Sequence, residues 1–375
     1  MTRTEKLLSE LVALPSVNPA FLPAGHPRAG EERVNEFLAA TAAQAGLELS
    51  FQPVFPGRAN LLARLSPLSK PRRRILLAPH LDTVNGTDSQ FSPEIRNGKL
   101  YGRGACDTKG SVAAMMSALC DLARDGKRPA ETEILFTGLV DEEEAQTGSR
   151  ALADSGLRAD LAIIGEATNL QVVTAHKGSL WLRLETRGRS AHGSRPELGK
   201  NAVLEMARVV QFVEGKYASQ LRRRRHPLLG RATVNVGAIA GGSQPNIVPD
   251  NCYILVDRRT LPGETEVSVR RELRGMLRKY GLKATLASNK PVPCLPLETS
   301  PKQPLIRQLM SCVNQQRPVG VVYFCDASVL SHSGIPSVVF GPGDIAQAHT
   351  ADEWISLSQL ENATCLLKKF LTSQP

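Results

Sequence analysis

No run of apolar residues in this 375-residue chain approaches the roughly 20 that a helix needs to cross a bilayer. The opening stretch MTRTEKLLSELVALPSV has an amphipathic helix pattern with acidic residues in it, and lacks the apolar core of a secretory leader. A cytoplasmic protein without a membrane partner is expected. The seven cysteines, at 106, 120, 252, 294, 312, 325 and 365, include no C-x-x-C pair, and an odd number cannot all pair with one another. They read as reduced thiols in a reducing compartment. A net charge of +10 raises the question of nucleic acid, but the only dense basic run, LRRRRH from Leu221 to His226, has no aromatic residues between its charges. It reads as a solvated helix end, and no nucleic-acid partner is expected. Internal repeats and low-complexity segments are missing, and YGRGACDTKG lacks the spacing of a phosphate-binding P-loop.

What is present is the patterning of two globular domains. Hydrophobic residues make up 42% and charged residues 22%, ordinary values for a packed protein, and the length exceeds what one core usually serves. In the first part, helical spacing (GEERVNEFLAATAAQAG, KGSVAAMMSALCDLARDG) alternates with short apolar strands (RRILLAP, ETEILFTGLV, DLAIIGEAT). Such strands imply a mostly parallel sheet covered on both faces. After His176 the texture changes to SLWLRLETRG with period two, a helix from about Lys200 to Leu221, two more strands, a helix from about Glu264 to Tyr280, and LKATLAS. That order predicts a ferredoxin-like α+β insert with an antiparallel sheet. The first texture returns at about Lys290, with a helix near Lys302 to Asn314, the strand PSVVFG and a closing helix from about Leu357 to Leu371. The expectation is an α/β domain made of residues 1–177 and 289–375, interrupted by a smaller domain at 178–288.

Chemistry-bearing residues collect at the predicted strand ends, where open α/β sheets bind ligands. His80 and Asp82 follow one strand and, two apart on an extended chain, share a face. Asp107 precedes a helix; Asp141, Glu142, Glu143 and Glu144 follow the next strand; Glu166 follows LAIIG; His349 lies past the glycine-rich turn after PSVVF. Each alone has a plain reading: a polar strand end, an acidic helix start beside the helix dipole, a turn cap, a surface loop histidine. Together, carboxylates at one sheet edge repel one another unless cations hold them. Two zinc ions would do so, with about three negative ligand charges against four positive ones and a bridging hydroxide making up the difference. His80, His349, Asp107, Glu143 and Glu166 fit that arrangement, with Asp82 fixing the tautomer of His80.

Seven stretches in this order, HLDTV, YGRGACDTKGS, DEEEAQTGS, GEAT, GRSAHGSRPELGKNA, GGSQPNIVPDNCYILVDRRTLPGE and FGPGDIAQAHTADEW, make the chain resemble the zinc-dependent aminoacylase and carboxypeptidase family, which includes acetylornithine deacetylase, succinyl-diaminopimelate desuccinylase and carboxypeptidase G. The resemblance spans nearly the whole chain. It implies a catalytic domain with an inserted lid and dimerisation domain, His80 and Glu166 on one zinc, Glu143 and His349 on the other, Asp107 between them followed by a cis peptide, and Glu142 as general base. Cobalt or manganese are possible substitutes for zinc. GEAT departs from the family's Gly-Glu-Pro. The triple glutamate leaves a second register, Glu143 as base and Glu144 as ligand, less favoured because Asp141 stands for the acidic residue before the pair. The resemblance further implies a homodimer in which His192 polarises the scissile carbonyl of the partner's site, and substrate contacts from Asn246 and Arg258, whose guanidinium suits a carboxylate. Lys177 is a weaker candidate.

The expected activity is hydrolysis of the amide bond of an N-acyl amino acid. A dipeptidase or tripeptidase of the same family is the alternative within the class, and a catalytically silent binding protein the alternative outside it.

Overall fold

The computed structural model describes residues 1–289 and 292–375. The chain divides into two compact units: Met1–Thr174 with Thr299–Val319 and Cys325–Pro375, and Ala175–Glu298 with Gly320–Phe324. The second unit extends past the expected 178–288 segment at both ends and adds a short piece near residue 320. The expected return of the first texture at about Lys290 lies outside the described residues.

In the first unit a mixed sheet runs in the order Glu48–Phe55, Arg58–Leu65, Thr132–Gly138, Arg73–Pro79, Leu161–Gly165, Ser337–Val339, and then Val173–His176, whose Val173 pairs with Val339. Four central strands, from Thr132–Gly138 to Ser337–Val339, are parallel. Their residues are apolar on both faces because helices cover both. Ile75, Leu77, Ile134, Phe136, Leu161 and Ile163 pack under the helices Arg3–Ala13, Glu32–Gln44, Lys109–Arg124 and Leu357–Thr372. Leu76, Ala78, Leu135, Ala162 and Ile164, of opposite parity, are buried on the other face. The helix Lys109–Arg124 is buried nearly all round from Lys109 to Leu122, so its residues are mostly small or apolar on every side.

The register of the parallel strands places the site. Leu77 pairs with Phe136 on one side and Ile163 on the other, and Pro79 pairs with Gly165. An isolated bridge joins His80 to Leu139. Adjacent strands therefore end level with one another, and the residues just past their carboxyl ends, His80, Asp141 and Glu166, meet at one edge. A separate three-stranded sheet (Glu94–Arg96, Lys99–Tyr101, Trp354–Ser356) ties the segment after His349 to the segment before Asp107, with Trp354 opposite Tyr101.

The second unit has four antiparallel strands in the order Thr233–Gly241, Asn251–Thr260, Gly178–Arg187, Thr285–Ser288. Two helical segments lie between them in the chain, giving strand-helix-strand-strand-helix-strand. The predicted Lys200–Leu221 helix runs as Ala202–Phe212, a π-turn at Val213–Tyr217, and Ala218–Leu221. Tyr217 in that turn is fully buried and reaches Arg258, a tertiary contact that helical spacing alone does not disclose. Leu182, Leu184, Ile254 and Val256 from the sheet pack with Met206, Val209, Val269 and Leu273 from the helices.

Candidate metal centre and active site

His80 is buried at the end of Arg73–Pro79, and its Nε2 lies 3.1 Å from Asp107 Oδ1 and 3.8 Å from Glu166 Oε1. On the far side of Asp107, the His349 Nε2 lies 3.2 Å from Asp107 Oδ2 and 3.2 Å from both carboxylate oxygens of Glu143. One carboxylate thus stands between two histidines, each histidine also facing a glutamate. His80, Asp107 and Glu166 form one cluster able to hold an ion, and Asp107, Glu143 and His349 form a second, the candidate donor atoms within each lying within 4.8 Å of one another. Imidazole nitrogen and carboxylate oxygen are donors that suit a divalent ion such as zinc, and three protein donors per ion leave room for water or substrate. The donor set fits two divalent ions with Asp107 shared. The peptide that follows Asp107 is cis.

The electrostatics agree with the chemistry of the donors. Burial pushes the carboxyls of Glu166 and Glu142 well above their ordinary range, opposed by His80 and reinforced by neighbouring carboxylates including Asp107 or Asp326. Glu143 is likewise raised by burial and then by Asp107. Asp107 moves the other way: burial alone would raise it, but hydrogen bonds from His349 and His80 hold it below the usual carboxylate value. The same bonds, to Asp107 first and Glu143 second, push His349 up to about 10. Positive charge at this place is strongly favoured, by whatever supplies it.

The Asp82 carboxylate stands beside His80, as expected, and does more than that. The nearest acceptor to His80 Nδ1 is the Asp82 backbone carbonyl at 3.0 Å, with the carboxylate at 3.5 Å. The carbonyl fixes the ring so that Nε2 faces the ligands. The Asp82 carboxylate also accepts the backbone N–H groups of Glu142 at 3.0 Å and Glu143 at 3.1 Å, and so shapes the turn that presents those two glutamates. The acidic run is not a helix start: the helix begins at Thr147, and residues 142–145 form turns after Asp141, whose φ is +69°. Within the run, Glu143 stands beside His349 and Asp107, and Glu144 belongs to neither cluster.

Several residues that hold this turn were not singled out from the sequence. Asn18 donates to Asp82 Oδ2 at 2.8 Å and to Asp141 Oδ1 at 3.0 Å, joining two segments of like charge. Glu31, buried, takes a two-pronged bond from Arg58 and accepts the Asp141 N–H at 3.2 Å. Asp326 is buried with its carboxylate on Ser149 Oγ at 2.5 Å, and burial raises it to about 6. Gly341 is a place where only glycine fits, since a Cβ there would come within 2.5 Å of the Glu166 carbonyl. These are single residues distant in sequence, and none carries a local spacing signal.

In the second unit His192 and Asn246 are exposed and adjacent, with the Gly193 N–H donating to the Asn246 carbonyl at 2.7 Å. The His192 Nδ1 accepts the Ser194 N–H at 3.2 Å, which leaves Nε2 as the protonated nitrogen of the neutral ring. Arg258 requires correction. It lies on the inward face of Asn251–Thr260 with Cys252, Ile254 and Val256, fully buried, and its guanidinium is committed to Glu264 at 2.6 Å, Tyr217 at 3.3 Å and the Arg259 carbonyl. It is a core ion pair with no side open to a substrate. The next residue, Arg259, has the opposite parity and is part-exposed, bonded to Asp257 at 2.9 Å with Phe324 beneath its guanidinium. Lys177 is buried and donates to the Arg231 carbonyl at 2.7 Å.

Comparison with known proteins bears on the fold and the family. Acetylornithine deacetylase of Proteus mirabilis is 30% identical over 371 residues, covering 95% of this chain and 92% of that one. Among solved structures, aminopeptidase PepT of Bacillus cereus superposes with a TM-score of 0.79 at 21% identity, covering 99% of this chain and 97% of that one. A Bacillus subtilis protein described as a dinuclear metal-binding peptidase of family M20 superposes with a TM-score of 0.72 at 13% identity, covering 99% and 97%. Residues 76–373 match the model of Peptidase family M20/M25/M40. The chain belongs to that family of metal-dependent amide-bond hydrolases.

Proposed function

We propose that the protein removes the acyl group from an N-acyl amino acid of the acetylornithine type, with two zinc ions held by His80, Asp107 and Glu166 and by Asp107, Glu143 and His349. The observation that carries this reading is the position of Asp107 between His80 and His349, at 3.1 and 3.2 Å. The name of the curated relatives, at about 30% identity over most of the chain, supports the substrate class.

A pair of divalent cations, when bound, would lower the pKa of bound water toward about 7 and polarise the amide carbonyl. The protein's own groups do the rest. Glu142, fixed by its backbone bond to Asp82, takes the proton of the attacking water and passes it to the leaving nitrogen. Arg259 holds the substrate's carboxylate through two charge-assisted bonds, in place of Arg258. His192 from a second copy in a homodimer donates its Nε2–H to the carbonyl oxygen as negative charge develops there, a contribution of about 3–4 kcal/mol for a well-placed donor. Asn246, next to it, contacts the same substrate. Cobalt or manganese can stand in for zinc. The cytoplasm is the proposed compartment, supported by seven cysteines with no C-x-x-C pair among them. Among the described residues no helix is long and apolar enough to cross a membrane.

The test is a metal-supplemented comparison of Nα-acetylornithine and other N-acetyl amino acids with dipeptides and tripeptides. N-acyl amino acids are expected to give a kcat/KM at least about tenfold above any peptide, a difference of about 1.4 kcal/mol in transition-state binding. A preference for peptides would overturn the deacylase reading in favour of a small peptidase. No hydrolysis of either, with metal bound, would leave a binding protein.

A further inference from the structure

Glu353 is used by nothing described so far. It is buried at 1% exposure, four residues beyond His349 in the chain, and both of its carboxylate oxygens are filled. Oε1 accepts the N–H groups of Cys106 at 2.8 Å and of Asp107 itself at 3.0 Å. Oε2 accepts Arg103 Nη1 at 2.7 Å and the Gly104 N–H at 3.0 Å. Its backbone carbonyl takes the Gly102 N–H at 3.0 Å. Arg103 returns across the same gap to the Thr350 carbonyl at 3.2 Å, where Gln90 also donates at 3.1 Å. Every amide from Gly102 to Asp107, except those of Arg103 and Ala105, is therefore directed at one residue of the His349 segment. Arg103 and Ala105 donate to the carbonyls of Gln90 and Gly102.

We propose that Glu353 is the positioning residue of the metal centre: one carboxylate fastens the loop that delivers the shared ligand Asp107 to the segment that delivers His349, so that both metal positions depend on it. The inference rests on the two-metal reading above. The argument is one of acceptor count. Four N–H donors converge on two oxygens, and only an ionised carboxylate offers acceptor capacity at both. An amide would turn one acceptor into a donor and set it against backbone N–H groups that cannot move without moving Asp107. His349 adds a second reason. It holds a φ of +62°, unusual for a residue other than glycine, and is half exposed, so its own surroundings do little to fix it. The anchor four residues on supplies what the exposed loop lacks. An ordinary structural ion pair with Arg103 would stabilise the fold without reference to the metals, and this is what the experiment separates.

Protein stripped with a chelator is titrated with zinc by calorimetry, and with cobalt by its visible absorption, for the wild type, Glu353→Gln and Glu166→Gln. Wild type is expected to bind two ions per chain. Glu353→Gln should weaken both by about 10- to 100-fold and alter the cobalt spectrum, while Glu166→Gln, a ligand to one ion only, weakens one. Should Glu353→Gln fail to fold by circular dichroism, Glu353→Asp, which keeps the charge but withdraws the oxygens by one methylene, is read the same way. Two ions bound with wild-type affinity and an unchanged cobalt spectrum, even at a lower melting temperature, overturn the proposal and leave a structural ion pair. No ion bound by wild type overturns the two-metal reading together with it.

Discussion

Residues 175–298 and 320–324 carry 22 Lys and Arg against 10 Asp and Glu, whereas the rest of the chain carries 24 against 26. The basic excess of the whole molecule thus belongs to the second unit, and the buried acidic cluster to the first. Two groups of carboxylates in the first unit stand in contrast. Glu31 and Glu353 each have a guanidinium in contact, Arg58 and Arg103. Asp107, Glu143 and Glu166 face only imidazoles, although the chain has arginine to spare. A protein that balances some buried acids with its own cations and leaves others to histidines has made a place for cations from outside. The second unit shows the converse at Arg258, a buried cation paired with Glu264 and closed to any ligand.

The predicted effects follow that division. Glu142→Gln should lower kcat by about three orders of magnitude or more with metal content unchanged, because the side chain moves a proton and binds no ion; retained activity, or lost metal, would remove it from the role of base. Arg258→Ala and Arg259→Ala should differ in kind. The first leaves Glu264 with one cation fewer in a closed interior and should destabilise the second unit by about 3 kcal/mol in denaturant unfolding. The second should leave stability alone and raise KM by about 10- to 100-fold, the value of a charge-assisted pair with a carboxylate. Equal losses of stability in both would erase the distinction drawn from strand parity. Asn18→Ala, which unties Asp82 from Asp141, should reduce kcat by about tenfold, less than loss of the base because Asp82 keeps its two backbone bonds. Arg3→Ala, removing an exposed pair with Asp121 far from any of this, should change neither the melting temperature nor KM measurably.

Much of the first unit was legible because its strands are short apolar runs with turns between them and its candidate ligands sit just past their ends. RRILLAP and LAIIG give both the parallel sheet and the places where His80 and Glu166 meet. The motifs supplied the proposed partition of candidate ligands between two ions, which spacing alone left open. Parity would have separated Arg258 from Arg259: Cys252, Ile254 and Val256 already mark the inward face of that strand, and Arg258 continues it. Glu353 carried no signal beyond lying four residues after His349. Asn18, Glu31 and Asp326 carried none, since their partners lie 27 to 177 residues away. Hydrogen bonds of that kind are set by packing, and packing is what a single sequence read by period does not contain. The π-turn at Val213–Tyr217 belongs to the same class, with Tyr217 bonded to Arg258.

The most direct test of the central claim is an anomalous-scattering map from crystals grown with zinc. Two peaks are expected, one among His80, Asp107 and Glu166 and one among Asp107, Glu143 and His349, with Asp107 touching both. A single peak, or peaks that do not share Asp107, would contradict the account.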